Sequence, residues 1–489
     1  LEKGVYNLHV RILVVTGRLA EKDVRTAVNG KADVLVLDVE VASFITPQLL
    51  EKALKHIKGE YDLILVPGYC TGDFKFLEER VGIPIKKGPK IAFDIPLIIE
   101  NIDSISLSST KSADELISDL KAKKIRETLE TLEESSHFSF EISGVRIGGN
   151  SRMKVLAEIV NADKMSTSQL EEKIEYYSSS GADIIDLGIS LEATPQDVRR
   201  IVKFASSLFS PISVDTLSSS LISSAIPHVD LVLSLNERNM EELGKRIVKE
   251  NIAVVVIPGE RDLEENLERA RTLGIEKIIA DPVLHPPNLG FTSSLLKYFE
   301  FHSSHSEVPL LFGVGNVSEL IDADSVGVHA ILSVIAHEVG ASILFTPESS
   351  PKCFNAVREL RRASEMMQLA SHRKSPPKDL GIDLLFIKEK RRYEETFELR
   401  EPVIEAREKS DWVPDPKGSY RIAVKGGEIF LIGREFTIKG KTAKAIIDTL
   451  LEFEGVSMME HLSYLARELT KAELSLKYGR SYLQDTYSI

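Results

Sequence analysis

Carboxylates and side-chain amides recur in this sequence directly after short apolar runs. Asn161 and Asp163 follow one run, Asp186 ends the next, Asp215 and Thr216 follow a third, and Asn236 lies just beyond a fourth. Asp281 comes after a sixth run, and Asn316 with Ser318 after a seventh. No lysine stands at the same depth, so a pocket built from these ends would hold acceptors without a fixed cation. Such a pocket suits a flat, neutral, donor-rich heterocycle. An aminopyrimidinone presents an edge of N–H groups, and a buried aspartate pairs with it in bidentate fashion. Each aspartate alone has a simpler role, capping the next helix, as Asp215 ahead of Thr216 and Ser218 could do. Asp186, Asp215 and Asp281 as ligands of magnesium form the competing chemistry, which the heterocycle reading is preferred to. A second candidate lies in TPESSPK, Thr346 to Lys352, where Ser349, Ser350 and Lys352 would hold a phosphate at a helix start or simply cap that helix.

These groups meet only if the runs before them are strands of one sheet. The runs are Val155 to Val160, Ile184 to Leu187, Ile212 to Val214, Leu231 to Leu235, Ala253 to Ile257, Lys277 to Ala280, Leu310 to Phe312 and Ser342 to Phe345. Helical patterns separate them at Ser168 to Ser179, Pro195 to Ser207, Ser218 to Ile226, Met240 to Glu250, Leu263 to Leu273, Ser293 to Phe301 and Ser325 to Val339, with a last one at Lys352 to Leu369. Eight strands alternating with eight helices predict an α/β fold of the (β/α)8 or TIM-barrel type, with function at the C-terminal strand ends. A doubly wound open sheet is the alternative, disfavoured because so many consecutive units rarely stay open.

The rest of the chain divides around this barrel. Residues 1–100 read as a small α/β, Rossmann-like domain, with strands His9 to Val15, Val34 to Leu37 and Leu63 to Val66 and helices near Glu21 to Val28, Pro47 to Ile57 and Phe74 to Arg80. The loops VTGRLAE and VPGYCTGD are where such a sheet would bind something, although no G-x-G-x-x-G or Walker pattern is present. Residues 101–137 read as a connector carrying a helix from Ala113 to Glu133. The barrel spans 138–371, and 372–418, with the charged run Lys388 to Arg400, is a linker. Residues 419–489 form a C-terminal α+β appendage: a hairpin of Tyr420 to Val424 and Ile429 to Ile432, then helices Thr442 to Phe453 and Met458 to Tyr478.

Composition narrows the partners. The chain has 489 residues, 43% hydrophobic and 28% charged, the balance of a globular protein. Its net charge of −13 opposes binding to nucleic acid or an anionic membrane. Two cysteines, Cys70 and Cys353, exclude a disulfide framework and fit a reducing cytoplasm. The longest apolar runs stop far short of the roughly 20 residues of a membrane span. The N-terminal LEKGVYNLHVRIL lacks a signal-peptide pattern. A cytoplasmic location and a homodimer are expected.

EIVNADKMS, GADIIDLG, PISVDT, ADP and GNVS resemble, in order and spacing, the pterin-binding barrel family of dihydropteroate synthase and the methyltetrahydrofolate-dependent methyltransferases. The whole three-part chain resembles the archaeal dihydropteroate-synthase-like proteins. The resemblance implies a transferase acting on a reduced pterin of the tetrahydromethanopterin or folate type, in pterin biosynthesis or one-carbon metabolism. It places Asp215 and Asp281 on the pterin's amino-pyrimidinone edge, with Asp186 in support and Asn161 near the reacting end. Asn316 would hydrogen-bond the reacting ring nitrogen, and Asn236 is the nearest amide to a further pterin contact.

Two departures separate the chain from ordinary dihydropteroate synthesis. The lysine expected after the seventh strand is replaced in GVGNVSEL, with Val317 near its place, and the arginine and histidine of the eighth strand are absent from ILFTPE. GNVS resembles the methyltransferase branch instead. There the fourth strand ends in asparagine, where Leu233 stands here and Asn236 follows three residues later. Met459 to Asp485 resembles a stretch of the corrinoid-carrying A subunit of archaeal tetrahydromethanopterin methyltransferase, which implies a one-carbon setting with methanopterin-type pterins; a corrinoid protein is the partner of the methyl-transfer alternative. His461 in that stretch reads as a surface or interface histidine on an amphipathic helix. Condensation with an arylamine, methyl transfer to a corrinoid, and pterin binding without chemistry all stay open.

Overall fold

The computed structural model describes residues 10–57, 60–388, 399–400, 402–407 and 413–486. The expected strand start at His9 and most of the run Lys388 to Arg400 lie outside them. The chain forms two compact units, one of Leu1–Glu141, Arg146–Met153 and Arg362–Asp383, the other of Ile142–Val145, Lys154–Arg361 and Leu384–Ile489.

In the first unit, β1 (Ile12–Thr16), β2 (Asp33–Val36), β3 (Leu63–Val66) and β4 (Ile85–Lys87) form a parallel sheet in the order β2-β1-β3-β4. All residues of β1 and β3 are buried, as branched apolar strands covered on both faces must be. Helix α1 (Glu21–Val28) buries Val24 and Val28 with Ile12, Val14, Leu63 and Leu65 on one face. Helices α2 (Pro47–Leu54) and α3 (Lys75–Val81) bury Leu50 and Leu77 with Leu13, Val15, Ile64 and Val66 on the other. The alternate residues of one strand thus feed two cores. Helices α4 (Ile95–Glu100) and α5 (Ser118–Glu134) follow. Strand β4 was not expected from sequence, because Ile-Lys-Lys is too short and too charged to read as a strand.

After a hairpin of β5 (Phe140–Ile142) and β6 (Val145–Ile147), eight strands close into a barrel. They are β7 (Lys154–Ile159), β8 (Ile184–Gly188), β9 (Ile212–Asp215), β10 (Leu231–Leu235), β11 (Ala253–Val256), β12 (Ile278–Ala280), β13 (Leu310–Gly313) and β14 (Ala341–Pro347). Every neighbouring pair is parallel, and β14 pairs with β7 to seal the cylinder. This is the expected (β/α)8 fold.

The helices between them are α6 (Thr167–Ser180), α7 (Pro195–Leu208), α8 (Ser219–Ala225), α9 (Met240–Glu250), α10 (Leu263–Thr272), α11 (Phe291–Ser304), α12 (Gly315–Ser318), α13 (Ser325–Glu338) and α14 (Ala356–Arg373). Two begin in capping boxes, Ser166 with Gln169 and Thr194 with Asp197, so their starts are written locally. GNVS, the motif after the seventh strand, is the one-turn helix α12. The last barrel helix begins at Ala356 rather than Lys352, after a 3-10 turn at Pro351–Cys353.

The C-terminal part has an antiparallel sheet of β15 (Arg421–Lys425), β16 (Glu428–Ile432) and β17 (Thr437–Gly440), packed on α15 (Ala443–Glu452) and α16 (Met459–Lys477). The hairpin turns at Gly426 and Gly427, both at positive φ. Strand β17 is an addition to the expected hairpin. Among the described residues no helix is long and apolar enough to cross a membrane.

Candidate functional site

Parallel register decides which side chains share a layer. Glu158 pairs with Asp186, and Asp186 with Ser213; toward the strand ends, Gly188 pairs with Asp215 and Asp215 with Leu233. Side chains alternate along a strand, so Asp215 points the same way as Ser213. Carboxylate oxygens of Glu158, Asp186 and Asp215 therefore lie within 4.8 Å of one another. Gly188 makes the room, since a Cβ there would stand 2.3 Å from Oε1 of Glu158.

The donors around these acids are few. Asp186 is 0% exposed; one oxygen accepts from the Ser213 hydroxyl at 2.5 Å, and Oδ2 has no partner. Asp281 accepts from the Tyr298 hydroxyl at 2.6 Å and the Val283 amide at 2.8 Å. No described residue donates to the carboxyl of Glu158 or Asp215. Asp215 therefore does not cap the following helix.

Burial followed by repulsion from Asp215 pushes Glu158 up to about 7. Burial and then Asp281 take Asp215 to about 6. Burial lifts Asp281 to about 6 against the pull of its Tyr298 and Val283 donors. Asp186 is raised well above the ordinary range by burial, then by Asp215 and Glu158. No cation takes part in any of these shifts. Mutually repelling acids of raised proton affinity crowd one mouth. Their oxygen-only donor set is of a kind magnesium accepts, which keeps that ion a competitor to an N–H-bearing ligand.

Glu158 was not singled out from sequence. The available signal was its alternation with Lys154 and Leu156, which places it on the inward face once the strand belongs to a barrel.

The other expected residues sit as follows. Asn161 is exposed at φ 52, ending β7. Asp163 accepts from the amide and hydroxyl of Ser190 at 2.8 and 2.6 Å, tying two loops together. Asn236 is buried and turns the chain after β10, its Oδ1 accepting from the Arg238 amide at 3.0 Å. Asn316 is exposed, and its Nδ2 donates to the Leu284 carbonyl at 2.9 Å, three residues beyond Asp281.

The serine-lysine loop is already engaged by acids. The amides of Ser349 and Ser350 donate to Glu319 at 3.0 and 3.1 Å, and Lys352 pairs with Asp322 at 3.0 Å. Glu348 takes the Asn355 amide at 2.7 Å. Val317, near the family's lysine position, is buried.

A second polar cluster lies in the C-terminal part. Asp415 accepts from the Ser457 hydroxyl and amide at 2.5 and 3.0 Å, the Met458 amide at 2.9 Å and the Lys417 amide at 2.9 Å. His461 Nδ1 lies 3.2 Å from its Oδ2, between the rings of Tyr420 and Tyr464. Asp415, Tyr420, His461 and Tyr464 line a cavity of about 540 Å³. His461, expected as a surface or interface residue, is mostly buried against Asp415 because α16 turns that face onto the sheet.

The fold and site define a (β/α)8 barrel with an acidic mouth. The chain is 40% identical over 518 residues to the uncharacterized protein MJ0107 of Methanocaldococcus jannaschii, covering 97% of this chain and 98% of that one. It belongs to the family of that protein. Residues 414–485 match the family model PterinBD-DUF4346, and residues 10–90 match a family of unknown function, DUF6513. A 50-residue stretch is 42% identical to the uncharacterized protein ycf91 of Porphyra purpurea, covering 10% of this chain and 41% of that one. Among solved structures, dihydropteroate synthase of Yersinia pestis is 20% identical with a TM-score of 0.36, covering 48% of this chain and 98% of that one. That of Thermus thermophilus is 21% identical with a TM-score of 0.36, covering 44% and 93%.

Proposed function

We propose that the barrel binds a reduced pterin through its acidic mouth and serves a transferase reaction on it. The observation that carries this reading is the pair of unfilled acceptors, Asp215 and Glu158, in a cluster with Asp186 and beside Asp281. An amino-pyrimidinone edge brings the missing N–H donors, and pairing with them favours the ionised form that burial disfavours. Ligand binding would thus relieve a cost that burial and mutual repulsion impose on these acids. The ordered segments ending in Asp186, Asp215, Asp281 and Asn316 support the same ligand.

Between the two transferase reactions, the loop before α14 favours methyl transfer. Condensation with an arylamine releases a diphosphate, which needs cations and free amides. Here those amides face Glu319 and Glu348, and Lys352 is neutralised by Asp322. A methyl leaving a ring nitrogen of a tetrahydropterin for a reduced corrinoid needs no anion site. The protein's part is to orient the ring and to stabilise charge change at that nitrogen. Asn316, in the one-turn helix α12 and bonded to the Leu284 carbonyl of the segment after Asp281, is the amide suited to follow that change.

Calorimetry with a methylated tetrahydropterin tests binding, and incubation with cob(I)alamin tests transfer. Saturable binding with loss of the methyl group is expected. Binding without demethylation would remove the methyl-transfer reading, and absence of binding, with or without magnesium, would remove the pterin.

A further inference from the structure

The N-terminal sheet carries a site of its own. Its order, β2-β1-β3-β4, has a topological switch between β1 and β3: the chain leaves β1 for α1 on one face and leaves β3 for α3 on the other. In open parallel sheets that divergence opens a crevice at the carboxyl ends of the two strands, where ligands bind. A cavity of about 80 Å³ lies there. Val14, Leu65 and Ile95 form its apolar floor, while Thr16, Pro67 and Lys90 belong to its polar edge. Space for several water molecules is thus held open in an otherwise close-packed domain.

The rim is built to stay in place. The Gly68 amide donates to the Pro89 carbonyl at 3.0 Å and the Gly88 amide to Val66 at 2.8 Å, locking the loops after β3 and β4 together. The Arg18 and Leu19 amides donate to Val39 and Glu40, locking the loops after β1 and β2. Any Cβ at Gly68 would lie 2.6 Å from the Gly88 carbonyl oxygen, and any Cβ at Gly17 would lie 2.8 Å from that of Val39. Both glycines are required by close backbone approach.

Charge selects the occupant. Arg18 is committed to Asp38 and Glu40. Lys90 is not: its ammonium lies 5.8 Å from the Tyr69 ring centroid with no carboxylate partner among the described residues. Asp114 accepts from the Lys90 amide, not from its side chain. In a chain of net charge −13, an ammonium at the cavity edge without a carboxylate partner among the described residues marks a local preference for anions.

We propose that this switch crevice binds a small organic monoanion, its carboxylate or phosphate at Lys90 and its apolar end on the floor formed by Val14 and Leu65. The site is independent of the barrel and of the pterin reading.

Ligand-observed NMR on the full chain with benzoate as the probe tests it, with inorganic phosphate to separate phosphate recognition from carboxylate recognition. Cyclohexylammonium, a body of similar size and opposite charge, serves as the control. Benzoate or phosphate is expected to bind saturably and to weaken about tenfold in Lys90→Ala, the loss expected for one charged hydrogen bond. Lys90→Glu should abolish binding, and Asp215→Asn should leave it unchanged. Lys90 is exposed, so neither change threatens the fold. Equal binding in Lys90→Glu, equal binding of cyclohexylammonium, loss in Asp215→Asn, or no saturable binding of either anion would each overturn the proposal.

Discussion

Asp186 in the barrel and Asp415 in the C-terminal part are both buried, yet burial wins at the first and loses at the second. Asp186 is pushed well above the ordinary carboxylate range by burial and by the neighbouring acids Asp215 and Glu158. Burial also pushes Asp415 upward, but the Ser457 hydroxyl and the amides of Lys417, Met458 and Ser457 outweigh it and hold that carboxyl far below the range. The difference is a count of donors. Asp415 has its lone pairs filled from within the chain, and it ties the segment leading into β15 to the start of α16. Among the described residues Glu158 and Asp215 have no donor and Asp186 keeps one oxygen open, and open buried acceptors are what a donor-rich ligand can use.

The sharpest way to break this contrast is to remove an open acceptor. Asp215→Ala or Asp281→Ala should cost about 2 to 5 kcal/mol of pterin affinity by calorimetry, because the ligand's N–H groups would be left unpaired. Wild-type affinity in either variant would mean that the mouth is not the binding surface.

Next in size are the opposed pH responses. Protonated Asp215 and Asp281 cannot accept the ligand's donors, so affinity should fall as pH drops through about 6. For stability the two regions differ in sign. The barrel acids bind protons more tightly folded than unfolded, so their contribution is full below the ordinary carboxylate range and is lost as pH rises to about 7. Asp415 contributes above that range, and its contribution is lost in acid. Urea melts of Glu158→Gln should show a weaker loss of stability between ordinary carboxylate pH and 7, and those of Asp415→Asn a weaker loss in acid. Unchanged slopes in both variants would dissolve the contrast.

The smallest expected effect sharpens it. In Gly188→Ala the new methyl must displace the Glu158 carboxylate, 2.3 Å from where that methyl would sit. Pterin affinity should change by less than about 1 kcal/mol, while the Glu158 midpoint, read by carboxyl NMR, should move toward the ordinary value as the cluster loosens. A midpoint still near 7 would place the cause elsewhere than in the crowding of Glu158 on Asp215 and Asp186.

Much of this molecule was legible in the chain. The eight barrel strands are branched apolar runs, and their order with the helices between them leaves few topologies open. Asp186, Asp215 and Asp281 were legible because they end such runs. Strands β4 and β17 escaped notice because three or four residues carrying lysine have no periodicity to detect. Glu158 and Asp415 escaped for a different reason. The glycine that seats Glu158 lies on the next strand, and the donors of Asp415 include Ser457 and Met458, 42 and 43 residues further on.

Local order therefore settled the eight barrel strands, the starts of the two helices with capping boxes, and which acids follow the apolar runs, since those depend on side-chain pattern and near neighbours. The shared layer of Glu158 and Asp186, the occupation of the Ser349 and Ser350 amides by Glu319, and the opposite proton affinities of Asp186 and Asp415 were decided by the tertiary structure alone. Desolvation and donor supply are set by atoms far away along the chain, and only the packed fold brings them within a hydrogen bond's reach.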